Sequence, residues 1–545
     1  MDQSKNIFVD CSLESVKESY DKFDLKSSFN YQEDFQSCKI MDIPTKLCML
    51  RKNHSPDRSF CFPQLCTDEK IRDFIGKTYE NTNGSVYDIE CKNIYDPETY
   101  FILVGSFIFL LTLITLLSTL INANQSKFIN LLPSKMHGLV NMSSIFSISE
   151  NIKTLFNMKS SSTSIDCLNG LKALSLIPIV FLHSMQNAWP IPDPRFYNTL
   201  LYVTGILPTD TFFLVSGILC AKFYMTRRNI FSKFFRTLFE RYLRLTPSGV
   251  VTFAVFIAIK LFLSPFGYPN LFHPIFDDCK KNWWVMLIYL QNYYESEHAC
   301  FGTYWFATVL FQLYFITPFI LFILNKLKSQ FGKILMLLML ITTFVPGFMT
   351  GMTNNSFYSF LYIEALSRSY PYLVGLFYYR ITSGSGKLAS NTQTKLAWIA
   401  TTLTLIVPLI PFFSESMTIE ISNIFYIPIR IFWPFALCWI VHVCHNGFGR
   451  IVNNILSANI LVPVSNLSLG IYLVNVLVSH LLSFLTPFIP PVESKLVNSI
   501  RFFIANFIIS TFLATLLYLF VEVPFTRISK SSCKKTNANQ TVKTV

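Results

Sequence analysis

The chain has 545 residues, 51% of them hydrophobic and 16% aromatic, and only 14% charged. Soluble domains carry about a quarter charged residues, so this composition excludes an ordinary soluble enzyme and points to a membrane protein. The net charge of +13 is uneven: residues 1–100 hold 13 Lys/Arg against 18 Asp/Glu, a net of −5, and the remainder carries +18. An acidic head on a basic multi-span body suggests opposite sides of a bilayer and argues against nucleic acid as a partner.

Residues 1–100 read as a small extracellular or lumenal domain. They contain Cys11, Cys38, Cys48, Cys61, Cys66 and Cys91. An even count in a short polar region predicts a disulfide framework, with fifteen pairings open. Asn83-Gly84-Ser85 is a glycosylation sequon in the same region. Zinc is the rival reading of the cysteines, but Cys61 and Cys66 have no second ligand pair at finger spacing, and no metal site is expected. The opening stretch "MDQSKNIFVDCSLESVK" has no apolar run of the signal-peptide kind. Either the true N-terminus lies upstream or the first span acts as a reverse anchor. An acidic flank before that span and a basic one after it permit the anchor.

Apolar runs long enough to cross a bilayer occur at 101–121, 170–187, 203–224, 248–266, 303–325, 333–350, 358–379, 396–413, 424–444, 460–484 and 501–521. The predicted fold class is therefore an all-α polytopic membrane protein of about eleven transmembrane helices behind a small disulfide-rich N-terminal domain. The apolar stretch 283–291 is too short to cross and reads as interfacial or re-entrant. Residues 122–165 read as a cytosolic linker, 166–527 as the membrane body and 528–545 as a basic cytosolic tail. With the N-terminus outside, the loops of the cytosolic side are basic on almost every turn, as the positive-inside rule requires. Cys279 and Cys300 then share one outer loop and are candidates for a further disulfide.

Ionisable groups inside spans are costly and mark functional interiors. Lys172 and His183 lie eleven residues apart, which puts them on one helical face about 16 Å apart along the axis. Lys172 falls at the cytosolic end, where a basic anchor is ordinary, while His183 lies deeper, where a buried interhelical hydrogen bond is the plain alternative. Asp210, on the antiparallel next span, falls at a similar depth and is expected to orient His183 as an acid/base dyad. Arg241 and Arg244 share a helical face at the cytosolic surface, where two guanidiniums suit phosphate, and Pro247 marks a helix start. Arg368 sits near mid-membrane, one turn from Glu364, and Pro371 frees a backbone carbonyl in the same span. A base toward the outside and an anion site toward the cytosol suit passing a group from a phosphate-bearing donor across the membrane. They suit a transporter of anionic amphiphiles equally.

The motifs "LNGLKALSLIPIVFLH", "DTFFLVSG", "RYLRLTP", "YWFATVLFQLYFITP", "SRSYPYLVGL", "NLSLGIYLVN" and "VEVPF" occur in that order. In this order they resemble the membrane acyltransferase 3 family. The cysteine-bearing head, with "SFCFPQLCTDEKI", is similar to the nose-resistant-to-fluoxetine branch of that family. The resemblance implies O-acyl transfer from cytosolic acyl-CoA, as co-substrate, to a hydroxyl acceptor of unknown identity. It implies His183 as general base and Arg241 and Arg244 as the donor-holding pair, with Lys172, and Arg368 and Tyr370 of an Arg-x-x-Pro-Tyr element, also expected at the donor site. Three positions depart from the pattern: Lys172 replaces an arginine, Leu310 an acid, and Asn475 a histidine. These departures keep a second reading open, a non-enzymatic carrier for lipids or amphiphilic xenobiotics. A receptor built on the cysteine domain is the third. The expected setting is the lipid bilayer of the plasma membrane or an endomembrane, with the N-terminal domain outside.

Overall fold

The computed structural model describes residues 45–52, 55–63, 87–93, 99–131, 137–158, 164–188, 199–225, 234–263, 273–294, 301–326, 365–382, 391–412, 419–485 and 495–529, with isolated positions between. The chain divides into two compact units, Met1–Phe109 with Ala254–Phe276, and Leu110–Phe253 with Asp277–Val545.

The first unit contains a three-stranded antiparallel sheet, β1 (Thr45–Lys52), β2 (Ser55–Pro63) and β3 (Tyr87–Asn93), in the order β2-β1-β3. A register shift between Leu50 and Arg51 marks an irregularity where β1 turns into β2. Cys11, Cys38, Cys66 and Asn83 lie outside the described residues.

The helices are α1 (Thr99–Ala123), α2 (Gln125–Leu131), α3 (His137–Phe146), α4 (Ile148–Leu155), α5 (Cys167–Ala188), α6 (Leu207–Met225), α7 (Phe234–Leu263), α8 (His273–Leu287), α9 (Trp305–Lys326), α10 (Ala365–Thr382), α11 (Asn391–Ile406), α12 (Ile419–His445), α13 (Arg450–Leu456), α14 (Leu461–Leu485) and α15 (Lys495–Leu517). Among the described residues, nine helices are long and apolar enough to cross a membrane. The expected span 333–350 lies outside the described residues apart from one position. On α1, Ile102, Leu103, Phe109 and Leu120 are each at least 60% exposed. An apolar surface of this kind on a 25-residue helix is stable against lipid tails and not against water. The protein is thus an integral, multi-pass membrane protein.

Two expectations change. Pro247 does not start a helix: α7 begins at Phe234 and runs through Pro247, so both arginines of "RYLRLTP" sit inside a continuous helix. Proline is tolerated there because neighbouring groups in a bundle re-satisfy the freed backbone carbonyl. The segment 122–165 is also no plain linker. It forms α2, α3 and α4, and α3 and α4 are held to the helical residues 518–529 that follow α15 by specific bonds. Asn151, fully buried, donates to the Leu519 carbonyl at 2.9 Å, and Arg527 donates to the carbonyls of Ser144 and Glu150 at 2.8 and 3.0 Å. Asn466 on α14 donates to the Leu155 carbonyl at the end of α4, at 3.0 Å.

Helices α6 and α10 cross with backbone against backbone. A Cβ placed on Gly217 would collide with the Tyr372 carbonyl, and one on Gly375 with the Leu214 carbonyl. Reciprocal glycines are what close helix approach in lipid demands, since apolar burial gives helices no advantage over lipid contact there. This crossing holds Asp210 and Arg368 in reach of each other. Gly217→Leu should therefore separate the two helices and destabilise the protein by more than the about 1–3 kcal/mol typical of overpacking. The measurement is the melting temperature of the detergent-solubilised protein; a wild-type melt would contradict this packing.

Candidate functional site

His183 projects from α5 toward α14, where Asn475 is completely buried. His183 Nδ1 and Asn475 Oδ1 are 2.5 Å apart. Which atom holds the proton follows from the rest of the asparagine. Its Nδ2 donates to the backbone carbonyls of Ile471 and Tyr472, at 2.9 and 2.7 Å. That fixes the amide nitrogen away from the imidazole and leaves Oδ1, which only accepts, facing it. Nδ1 therefore carries the hydrogen, and the lone pair of the neutral ring is on Nε2. Ser479, one turn along α14, donates to the His183 carbonyl at 2.9 Å. The next residue, Ser184, accepts from Asn506 of α15 at 2.8 Å and donates to Val180 O at 2.7 Å. Asn475 thus holds the ring, while α14 and α15 hold the backbone and the neighbouring serine of α5.

Asp210 does not orient His183, contrary to the depth argument. It lies in the first turn of α6, 1% exposed, and both its oxygens are taken by arginines. Arg368 Nη1 of α10 donates to Oδ1 at 2.6 Å, and Arg430 Nε of α12 donates to Oδ2 at 2.9 Å. Arg430 continues to Ser367, with Nη1 on its hydroxyl at 3.0 Å and Nη2 on its carbonyl at 3.1 Å. That carbonyl is the one Pro371, four residues on, leaves without an intrahelical donor. Arg368 is fully buried and lies over the Trp305 ring, 5.3 Å from its centroid. Glu364, its expected intrahelical partner, lies outside the described residues. The triad joins α6, α10 and α12. Arg430 was not singled out from sequence, although a lone arginine in an apolar span is the same signal that singled out Arg368.

Arg241 and Arg244, three residues apart on α7, take different partners. The Arg241 guanidinium stacks over Tyr314 of α9, 4.7 Å from the centroid. No ion pair of Arg241 occurs among the described residues. Arg244 Nε meets Glu522 at 3.4 Å, where the arginine is half exposed and the glutamate buried. Lys172 of α5 lies within electrostatic reach of both Arg244 and Glu522. Glu522, from "VEVPF", is a residue of this cluster that residue-by-residue reading passed over. Two cations therefore share one carboxylate, and a third cation lies one turn away on an aromatic face.

Tyr370 donates its hydroxyl to the Ile431 carbonyl at 2.8 Å, a helix-to-helix tie. Tyr372, which ends the Arg-x-x-Pro-Tyr element, lies 2.7 Å from Thr317 Oγ1. Since Thr317 donates to Leu313 O at 2.7 Å, Tyr372 is the donor of that bond. Leu310, in place of an acid, is simply buried. Gln312, two residues on, donates to the Tyr289 carbonyl at 2.7 Å and to Asn292 Oδ1 at 2.8 Å. Tyr289 holds φ 58°, a left-handed backbone uncommon for an aromatic residue, and this clamp supports it. Its hydroxyl lies 2.8 Å from Thr246 and accepts from Tyr304 at 3.0 Å; burial pushes its phenol up to about 12, so the network stays neutral. Tyr289 follows α8, in the stretch 283–291 expected not to cross.

Cys279 is disulfide-bonded, and Cys300 lies outside the described residues. Cys167, Cys220, Cys438 and Cys444 are buried free thiols. Among the described residues, no group of three or more His, Cys, Asp or Glu gathers as a metal site.

Residues 165–519 match the acyltransferase domain family known as acyltransferase 3. The chain is similar to Nose resistant to fluoxetine protein 6 of Caenorhabditis elegans, 22% identical over 503 residues. That match covers 76% of this chain and 59% of the relative, so the chain spans less than two thirds of that protein's length. No solved structure matches. With "LNGLKALSLIPIVFLH" supplying the oriented His183 and "RYLRLTP" the paired arginines, the family match covers both motifs: the chain belongs to the acyltransferase 3 family, with its similarity in the nose-resistant-to-fluoxetine branch.

Proposed function

We propose that the protein is a membrane O-acyltransferase that moves an acyl group from cytosolic acyl-CoA to a hydroxyl acceptor at the outer side of the membrane. The observation that carries this reading is the His183–Asn475 bond, which leaves Nε2 of a neutral imidazole as a proton acceptor. In the proposed step, Nε2 takes the acceptor's hydroxyl proton as its oxygen attacks the thioester carbon. The carbon–sulfur bond breaks, and His183 returns the proton to the departing thiolate of CoA. No covalent intermediate is required. Asn475 supports the imidazolium through its carbonyl dipole alone, a weaker partner than a carboxylate.

The donor's phosphates are assigned to the Arg241, Arg244 and Lys172 group. Arg241 has aromatic support and no ion pair among the described residues, and Arg244 is the most exposed of the three. Arg368, by contrast, is committed to Asp210, which supports a framework role rather than donor binding. The orientation follows the positive-inside rule, with the N-terminal domain outside and the Arg241 end of α7 cytosolic.

The test is transfer from radiolabelled acyl-CoA in isolated membranes, with the labelled product identified. His183→Ala should lower transfer about 10²–10⁴-fold, the usual contribution of a positioned base. The Arg241→Ala/Arg244→Ala double variant should raise the KM for donor with a smaller change in kcat. If His183→Ala transfers acyl groups at the wild-type rate, the scheme is wrong. Uptake of lipids or amphiphilic drugs without CoA, unchanged in His183→Ala, would establish the carrier instead.

A further inference from the structure

We propose that Cys48 and Cys91 are joined by a disulfide that staples the outer strand β3 to the central strand β1 of the N-terminal sheet. The inference rests on strand register. Along β1 and β3 the pairing is regular from Lys46↔Asn93 to Lys52↔Tyr87, and it sets Cys48 directly opposite Cys91. Directly opposed residues in an antiparallel pair have Cα atoms about 4.5–5.5 Å apart, depending on the hydrogen-bonding of the site. A disulfide needs Cα atoms about 4.4–6.8 Å apart, so either kind of opposed site falls within that range.

The same register excludes the competing pairings within the sheet. On the other side of β1, Cys48 is opposite Phe60 and Leu47 is opposite Cys61. Successive residues of a strand belong to opposite faces, and opposed residues share one. Cys48 and Cys91 therefore share a face, and Cys61 belongs to the other. The register irregularity of the sheet comes after Leu50 and leaves this parity intact. Six cysteines allow fifteen pairings; fixing this one leaves three for Cys11, Cys38, Cys61 and Cys66.

A staple of this kind stabilises a small sheet chiefly by cutting the freedom of the unfolded chain. In forming it, two thiols lose two protons and two electrons. The acceptor is the disulfide-exchange machinery of an oxidising compartment, a protein disulfide that is itself reduced to a dithiol. The bond would thus also place the N-terminal domain on the oxidising side. It is independent of acyl transfer, and either can fail alone.

The experiment is a non-reducing peptide map of the full-length protein, purified from membranes with free thiols alkylated at lysis. Trypsin puts Cys48 on Leu47–Arg51, Cys91 on Thr78–Lys92, and Cys61 with Cys66 on Ser59–Lys70. The Cys91 peptide also carries Asn83, so glycans are removed first. The expected result is a joined Leu47–Arg51/Thr78–Lys92 species, lighter than the two peptides by two hydrogens and split by reduction. Recovery of Leu47–Arg51 joined to any other cysteine peptide, or of both peptides alkylated, overturns the proposal. As a second reading, Cys48→Ser should leave Cys91 open to a membrane-impermeant maleimide added from outside. A Cys91 that stays unreactive in that variant, but reacts after reduction, is bonded elsewhere and also overturns it.

Discussion

Asp210→Asn should cost the protein its stability rather than its chemistry. The carboxylate receives two guanidiniums at 2.6 and 2.9 Å, with Asp210 and Arg368 excluded from solvent and Arg430 only 19% exposed. Removing one member of a buried ion pair leaves its partner charged in a poorly solvating interior, at a cost of about 3–5 kcal/mol. Here the loss strands two partners. The variant also releases α6 from α10 and α12, since the triad ties all three. The melting temperature in detergent should fall by about 10 °C or more, a shift in line with that energy. His183→Ala, which breaks one neutral bond in the bundle, should melt close to wild type. A wild-type melt of Asp210→Asn with transfer abolished would return the carboxylate to the catalytic role that the sequence suggested.

The reason sequence placed Asp210 wrongly is instructive. Counting residues from a span's end gives height in the membrane, and by height His183 and Asp210 are neighbours. It gives no rotation about the helix axis relative to another helix, so it cannot say which of several helices a side chain faces. The same gap hid Asn475. It was visible as a departure from a histidine, but its value depends on two backbone carbonyls that fix its amide, and those are known only once α14 is built. Pairings within one helix fared no better in detail. The spacing of Arg241 and Arg244 correctly puts them one turn apart, yet one goes to an aromatic ring and the other to Glu522.

The membrane body itself was legible because hydropathy is a property of single segments. Every expected span within the described residues is helical, although boundaries moved where charge interrupted the apolar run. Helix α7 starts fourteen residues before the apolar stretch 248–266, since its first turns are striped with Arg236, Glu240, Arg241 and Arg244 at the bundle's polar end. The helices α3 and α4 were missed for a related reason. They are short and mixed in polarity, and they persist through tertiary ties such as Asn151 to Leu519 and Arg527 to Glu150 rather than through a long apolar face.

Asn475→Leu is the substitution that most directly separates an oriented base from a merely buried histidine. Leucine is of similar volume, so the packing of α5 on α14 should survive, while Nδ1 loses the acceptor that fixes its hydrogen. Both tautomers then become accessible, and the ring loses its orientation. Transfer should fall about 10²-fold or more in kcat, with the KM for acyl-CoA little changed, because the donor-holding cations are elsewhere. Asn475→Asp is the informative contrast. A carboxylate would serve the imidazolium better, but its second oxygen would face the Ile471 and Tyr472 carbonyls, which now accept from the amide nitrogen. Repulsion there favours the protonated acid, whose hydrogen can restore one of those bonds. Activity of Asn475→Asp should accordingly stay below wild type at neutral pH and recover as pH falls and the acid protonates, until His183 itself takes up a proton. Full activity of Asn475→Leu across this range would show that the imidazole works without its partner, and would leave the hydrogen bond as packing alone.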